Sequence, residues 1–205
     1  YVNAQRIFYG ALIYAAVVGG IASLVAWFGA PYFVGTQKGA ELALRCISPT
    51  IFFSAILGVL RGYFQGHNTM VPTSVSQIIE QILNAIFSIL MAYVLILPFL
   101  PSDSITYQIA SRGAAGSALG TEIGVITGLI FCLAIYKMYQ PRVKIQMRHD
   151  RTKYIESYRN ILKILLMTIT PVILSTAIYN CCPTIDMTLF SSILVDKGMP
   201  SFDVS

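Results

Sequence analysis

Charged side chains are scarce in this sequence, and their scarcity excludes most kinds of protein. Only 11% of the 205 residues are Asp, Glu, Lys or Arg, whereas soluble domains carry about 25%. Hydrophobic residues make up 56% of the chain. Because so few polar residues cannot cover a surface that faces water, we predict that lipid covers most of the molecule.

Catalytic motifs are also missing. The sequence has no H-E-x-x-H, no G-x-S-x-G and no Walker loop. Its histidines, His67 and His149, are far apart and have no zinc-type spacing with the four cysteines. We therefore predict no enzyme here, and we expect the cysteines to be buried as small apolar residues. Because the sequence begins with Tyr1, we interpret it as a piece of a longer chain.

Long apolar segments are what the sequence has instead. A helix needs about 20 mainly apolar residues to span a membrane. Such segments occur at residues 7–34, 41–60, 71–97, 113–136 and 161–194. The fifth is too long for one straight crossing, and its Pro171 and Pro183 predict a bend or a break. The predicted fold class is an all-α membrane protein with about five transmembrane helices.

Positive charge is concentrated between the fourth and fifth segments. Eight of the 14 Lys and Arg residues lie between residues 137 and 163. By the positive-inside rule this region is predicted to be cytoplasmic, as is the connector 61–69, while the connectors 37–39 and 98–112 are predicted to be external. Lipid head groups explain this charge better than nucleic acid does, so we expect the lipid bilayer as a partner and no nucleic acid.

The third segment carries a polar stripe on an otherwise apolar helix. Spacings of three, four and seven place its members on one face. They are Ser74, Gln77, Glu80, Gln81, Asn84 and Ser88. Lipid would not tolerate such a stripe. It either lines a polar pathway, with Glu80 as an ionisable functional candidate, or holds helices together through hydrogen bonds.

The fourth segment combines small residues with one acid. Glycines recur every four residues, at Gly116, Gly120, Gly124 and Gly128. This small-xxx-small ridge predicts the close approach of a neighbouring helix. Glu122 lies inside the same segment, either as a second cavity group or as the partner of a cation elsewhere.

Two further places are candidate sites. In the fifth segment, Asp186 and Asn180 lie among hydroxyl side chains and prolines, and oxygen ligands of this kind suit Na⁺. The alternative is that Asp186 sits at the outer interface and meets water. In the connector after the second segment, Arg61 suits the head-group boundary, either as part of a structural turn or as a contact to a lipid phosphate.

A family resemblance covers the second and third segments. Residues 60–66 (LRGYFQG), Asn68, residues 70–73 (MVPT) and residues 75–81 (VSQIIEQ) closely resemble the polysaccharide biosynthesis or stage V sporulation protein B family. That family belongs to the MOP flippase superfamily, together with MurJ-type lipid II flippases and MATE exporters. The glycines of the fourth segment and the basic region after it also fit this pattern.

The resemblance implies a particular domain arrangement. The five helices resemble helices three to seven of a fourteen-helix transporter. Residues 1–136 would be four helices of the N-terminal lobe, residues 137–160 the basic cytoplasmic loop between the lobes, and residues 161–205 the first helix of the C-terminal lobe. In MurJ-type members the seventh helix contributes an Asp to a Na⁺ site, which carries over to Asp186.

The resemblance also implies a function. It points to a flippase that moves a polyprenyl-linked sugar precursor, such as a lipid II-like or polysaccharide unit, across the bacterial cytoplasmic membrane by alternating access. Its partners would be a lipid-linked oligosaccharide and cell-wall synthesis proteins, and its coupling ion Na⁺, with no other cofactor. Two alternatives stay open: a MATE-like cation-coupled drug exporter, and a non-transporting scaffold for wall synthesis. An ion channel is disfavoured because the sequence has no repeated pore loop.

Overall fold

The chain folds into long helices. The computed structural model describes residues 2–34, 40–99, 106–148 and 157–196. The helices are α1 (Val2–Val34), α2 (Ala40–Gly66), α3 (Val71–Ile96), α4 (Thr106–Arg148) and α5 (Tyr158–Asp196), and a short 3-10 turn (Leu97–Phe99) follows α3. Each long helix contains a stretch long and apolar enough to cross a membrane. Within the described ranges there is no strand, so the prediction of an all-α membrane protein with five spans is confirmed.

Several helices are longer than their apolar segments predict. Helix α2 continues to Gly66, through the start of the predicted 61–69 connector. Helix α4 begins at Thr106 and ends at Arg148, so it includes part of each loop predicted beside it. Helical hydrogen bonding does not stop where the apolar residues stop, since Lys, Arg and Gln are good helix formers. The other parts of the predicted loops, at residues 35–39, 100–105 and 149–156, lie outside the described residues.

Two expectations about particular residues need correction. Pro171 and Pro183 lie inside α5, and the helix is not interrupted at either, so the predicted break is wrong while the predicted bend stays a prediction. All four cysteines are free, but only Cys132 is buried, and Cys181 and Cys182 are exposed. Apolar neighbours in sequence predicted burial in protein, whereas on a membrane-spanning helix the same neighbours can face lipid.

The helices form two compact units, which are described separately. Helices α1 to α4 belong to the first unit and α5 to the second. Helix α1 runs antiparallel to α2, because Phe8 contacts Tyr63 while Gly19 faces Ala55. Helix α4 runs antiparallel to α3, as the contacts of its glycines show below. The start of α1, the end of α2, the start of α3 and the end of α4 therefore share one end of the unit, which we call the basic end.

An aromatic cluster fixes the level of three helices near the basic end. The ring centroid of Phe8 lies 4.6 Å from that of Tyr63 and 5.2 Å from that of Tyr136. The side-chain amide of Gln5 donates a hydrogen bond of 3.0 Å to the Tyr136 hydroxyl. Residues 5–8 of α1, Tyr63 of α2 and Tyr136 of α4 thus lie at one depth.

A tight turn joins α2 to α3. Asn68 adopts a positive φ of 57°, which asparagine tolerates better than most residues. The backbone N–H and the hydroxyl of Thr69 both donate to the carbonyl of Phe64, at 3.2 and 3.0 Å. Pro72 then stands in the first turn of α3, where its missing N–H costs nothing. This turn holds the end of α2 beside the start of α3.

Candidate functional site

The polar face of α3 packs directly against the glycine ridge of α4. Going along the ridge, Gly116 meets Ala92, Gly120 meets Ser88, Gly124 meets Asn84 and Gly128 meets Glu80. A Cβ on residue 120 would collide with the backbone nitrogen of Ser88, and one on residue 116 would lie 2.6 Å from the backbone of Ala92. The close helix approach predicted from the glycines is confirmed, and α3 is the helix that approaches. We call this contact the seam.

Hydrogen bonds cross the middle of the seam. The Ser88 hydroxyl donates to Oδ1 of Asn84 at 2.8 Å and also lies 3.1 Å from the carbonyl of Ser117. The Thr121 hydroxyl of α4 donates to the same Oδ1 at 3.1 Å. Asn84 and Ser88 therefore link α3 to α4, and this part of the stripe acts as interhelical packing.

An ion pair closes the seam towards the basic end. Nη2 of Arg61 donates to Oε2 of Glu80 at 2.5 Å, and Nε of Arg61 donates to the Ser76 hydroxyl at 3.0 Å. The two charged side chains are only 16% and 17% exposed. A Cβ on Gly128 would lie 3.4 Å from the Glu80 carboxylate and 3.6 Å from the Arg61 guanidinium. Gly128 thus lies beside the pair, in which the two opposite charges neutralise each other inside the spans.

Sequence reasoning missed this pairing. Arg61 was assigned to the connector, because the apolar segment before it ends at residue 60, yet it lies within α2. The signal that could have found the pair is one cation and one acid inside neighbouring antiparallel helices joined by a short turn. Such charges in apolar spans need each other, because an unpaired one is costly.

The other members of the stripe remain uncovered. Ser74, Gln77 and Gln81 are exposed. Within the described ranges neither glutamine side chain has a hydrogen-bond partner. Gln77 and Gln81 lie six and ten residues after the first residue of α3, which is about 9 and 15 Å along the helix. Their Cα atoms therefore lie within the candidate membrane span Val71–Ile96.

The remaining predicted site residues are separate from the seam. Glu122 is half-buried in α4 and has no ion pair among the residues that the structure describes. In α5, described by itself, Asn180 and Asp186 are exposed, and their six-residue separation places them about 120° apart around the helix. The Asn180 amide donates to the carbonyl of Thr176 at 2.8 Å. The described ranges contain no cluster of three metal-ligating side chains, and the Na⁺ site stays a prediction.

Each of the five long helices contains a stretch that is long and apolar enough to cross a membrane, so the chain is a multi-pass helical membrane protein. The chain belongs to the polysaccharide biosynthesis protein family, whose family model matches residues 3–199. The resemblance seen in the second and third helices is thereby confirmed.

Two curated relatives narrow the comparison. The chain is 31% identical over 125 residues to Stage V sporulation protein B of Bacillus subtilis (strain 168), which covers 61% of this chain and 21% of the relative. It is 31% identical over 94 residues to Lipid II flippase MurJ of the same organism, which covers 40% of this chain and 17% of the relative. The chain thus spans about a fifth of the length of these relatives. No solved structure matches it.

Proposed function

We propose that this chain is part of a flippase that moves a polyprenyl-linked sugar precursor across the bacterial cytoplasmic membrane by alternating access. Family membership and the name of the MurJ relative support the substrate class. The structural observation that carries the proposal is the pair of exposed amides, Gln77 and Gln81, inside the α3 span. Na⁺ is proposed as the coupling ion, and cell-wall synthesis proteins are proposed as partners.

The exposed amides need water or polar cargo beside them. An unpaired amide in hydrocarbon costs several kcal/mol, about 4–8 kcal/mol in the most apolar reference solvents. Two such amides one turn apart would make the bare α3 face unstable against lipid, whereas a wet cavity satisfies them. A sugar–pyrophosphate head group needs the same kind of environment while its polyprenyl tail stays in lipid. We therefore place the transport path along Gln77 and Gln81.

In this proposal the polar residues of α3 have two roles: some hold the helix to its neighbours at the seam, and others face the transport path. Glu80, Asn84 and Ser88 hold α3 to its neighbours, so they position the path rather than contact cargo. Arg61 is already paired with Glu80 and brings no net charge to a phosphate. On this proposal Glu80 is a positioning residue and the two glutamines are the cargo-facing residues.

A cation-coupled exporter is the second candidate, and Glu122 is the observation that favours it. This carboxyl group lies in the α4 span without an ion pair among the described residues. A cavity containing an uncompensated acid would suit a cationic drug better than a pyrophosphate. A drug-efflux defect in Glu122→Gln, with normal movement of the lipid-linked sugar, would favour this candidate.

The test compares two double variants of the full-length protein in proteoliposomes that contain a fluorescent polyprenyl-linked sugar. Gln77→Leu/Gln81→Leu removes the amides, and Ile78→Leu/Ile82→Leu is the control on exposed apolar positions of the same turns. We expect the glutamine variant to move the lipid at least tenfold more slowly and the control to match the wild type. Equal rates would contradict the proposed path. No movement by the folded wild type would favour the exporter or a scaffold.

A further inference from the structure

A groove separates α1 from α2 at the basic end. It has a volume of about 340 Å³, and its lining is mostly apolar. The residues that shape it are Ala4, Ile7 and Ala11 of α1 and Gly62, Gly66 and His67 at the end of α2. The same two helices are in close contact further along, where a Cβ on Gly19 would lie 2.9 Å from Cβ of Ala55. The helices therefore diverge towards the basic end and leave a slot there.

The groove exists because two of its α2 lining residues are glycines, which have no side chain. A Cβ added to Gly62 or Gly66 would meet nothing within 4 Å, in contrast to the glycines of the seam. The groove extends over about two turns of each helix, roughly 10–12 Å, which is less than the thickness of one leaflet of a bilayer core of about 30 Å. The slot thus has the depth of a segment of lipid chain and not of a whole transmembrane helix.

The mouth of the groove is polar on one side. His67 lines it, and its ring lies 4.3 Å from that of Tyr63. Nδ1 of His67 lies 2.9 Å from the Tyr63 carbonyl, and since that carbonyl can only accept, Nδ1 is the donor. The ring is thereby held in place with Nε2 left for another contact. An apolar slot that ends at one fixed polar group fits an amphiphile.

The charged residues at the basic end indicate the charge of the head group that the groove can accept. The aromatic cluster places Lys137 at the depth of the groove, since it follows Tyr136, and the rest of α4 beyond it carries Arg142, Lys144 and Arg148 and no acid. Of the acids described in the first unit, Glu80 is paired with Arg61. The other two are distant along their helices: Glu122 lies about 21 Å from Tyr136, and Glu41 about 33 Å from Tyr63. Among the residues that the structure describes, the charges on this side of the mouth are therefore positive, and they complement an anionic lipid.

We propose that the groove between α1 and α2 holds one acyl chain of an anionic phospholipid, whose head group lies at the basic end beside His67. Its volume of about 340 Å³ and its limited length suit a segment of one acyl chain. The apolar outer surface of α1, with Ile7 and Ile13 exposed, continues from the groove, so a chain can enter sideways from the bilayer. This lipid site does not depend on the proposed transport activity.

The test uses the full-length protein in detergent and phosphatidylglycerol with a photoreactive group in its acyl chain. Irradiation at increasing lipid concentration is followed by mass spectrometry of peptides from α1 and α2. We expect saturable labelling of residues 4–11 and 59–67. Gly62→Leu fills the groove and should reduce this labelling at least fivefold. Gly58→Leu is the matched control, because a Cβ there also meets nothing within 4 Å but residue 58 does not line the groove.

Each of the outcomes below would contradict a different part of the proposal. Thermal unfolding must show both variants to be folded, and Ala11→Leu provides a second way to fill the slot from α1. Equal labelling of Gly62→Leu, Ala11→Leu and Gly58→Leu would overturn the site. Equal labelling by a phosphatidylcholine probe would overturn the anionic head group. Stronger competition by a polyprenyl phosphate than by phosphatidylglycerol would overturn the phospholipid as occupant.

Discussion

The two antiparallel helix pairs of the first unit use glycine in opposite ways. Along the seam, α4 glycines bring the backbone of α3 so close that a Cβ on Gly116, Gly120 or Gly124 would collide with it. Along the groove, α2 glycines face open space. Both sets repeat every four residues, so sequence spacing alone does not distinguish them. The partner helix distinguishes them: α3 offers Ser88 and Ala92 to the ridge, whereas α1 diverges from Gly62.

The contrast explains how one apolar bundle can be tightly packed along the seam and still leave room for a lipid chain in the groove. Polar groups are hidden where glycines allow contact, because hydrogen bonds and the Arg61–Glu80 pair replace water there. Space is left where glycines find no partner, and lipid can fill it. We expect the seam to respond strongly to small changes of side-chain size and the groove to tolerate them.

The largest expected effect comes from adding one methyl group to the seam. Gly120→Ala should lower the free energy of unfolding by at least about 3 kcal/mol, since the collision is with backbone and overpacking of flexible side chains alone costs about 1–3 kcal/mol. Gly62→Ala should leave stability unchanged or slightly higher. Denaturation in mixed micelles measures both, and similar losses in the two variants would erase the distinction between seam and groove.

Replacing one member of the ion pair should lower stability strongly, whereas replacing both members should lower it little. Arg61→Leu or Glu80→Leu leaves one largely buried charge without its partner and should cost about 3 kcal/mol, the lower end of the range for broken buried pairs. The double variant should recover to within about 1 kcal/mol of the wild type, because no charge is then left unpaired. A double-mutant cycle by chemical denaturation measures this coupling. Additive losses would mean that the two side chains do not act as a pair.

The smallest effect is expected at the hydrogen bonds of the seam. Asn84→Ala removes the acceptor used by Ser88 and Thr121 and should cost about 1–2 kcal/mol, since one such bond within a membrane is worth about 0.6 kcal/mol and truncation adds a small cavity. Gln81→Ala, one turn away and exposed, is the matched control and should cost less than half as much. A greater loss at residue 81 would indicate a covered partner there.

The fold was largely predictable from the sequence. Which residues of the polar stripe on α3 are packed and which are exposed was not predictable. Apolar length alone predicted five helices, because lipid leaves a backbone few other ways to satisfy its hydrogen bonds. The stripe on α3 predicted either a path or packing, and the structure shows packing at Asn84 and Ser88 and exposure at Gln77 and Gln81. Helical periodicity could not separate these groups, since they share one face and differ in whether a neighbouring helix contacts them.

The pairing of charged residues that are distant in the sequence was also unpredictable. The sequence offered Arg61, Glu80 and Glu122 as charges within or near the spans, without showing which of them meet. That choice depends on the short turn after α2, which holds the end of α2 beside the start of α3 and is a property of the assembled helices. The groove also escaped prediction, because a glycine that faces empty space looks the same in sequence as one that faces a helix.

Water access along α3 tests the central claim most directly. In a full-length background with the native cysteines replaced, single cysteines at residues 77, 81, 78 and 82 are exposed to a membrane-impermeant maleimide, which reacts with thiols in contact with water. We predict rapid labelling at residues 77 and 81 and little at residues 78 and 82, because only the first pair borders a wet path. Equally slow labelling at all four positions would contradict the account, since the glutamine face would then be covered by lipid or protein.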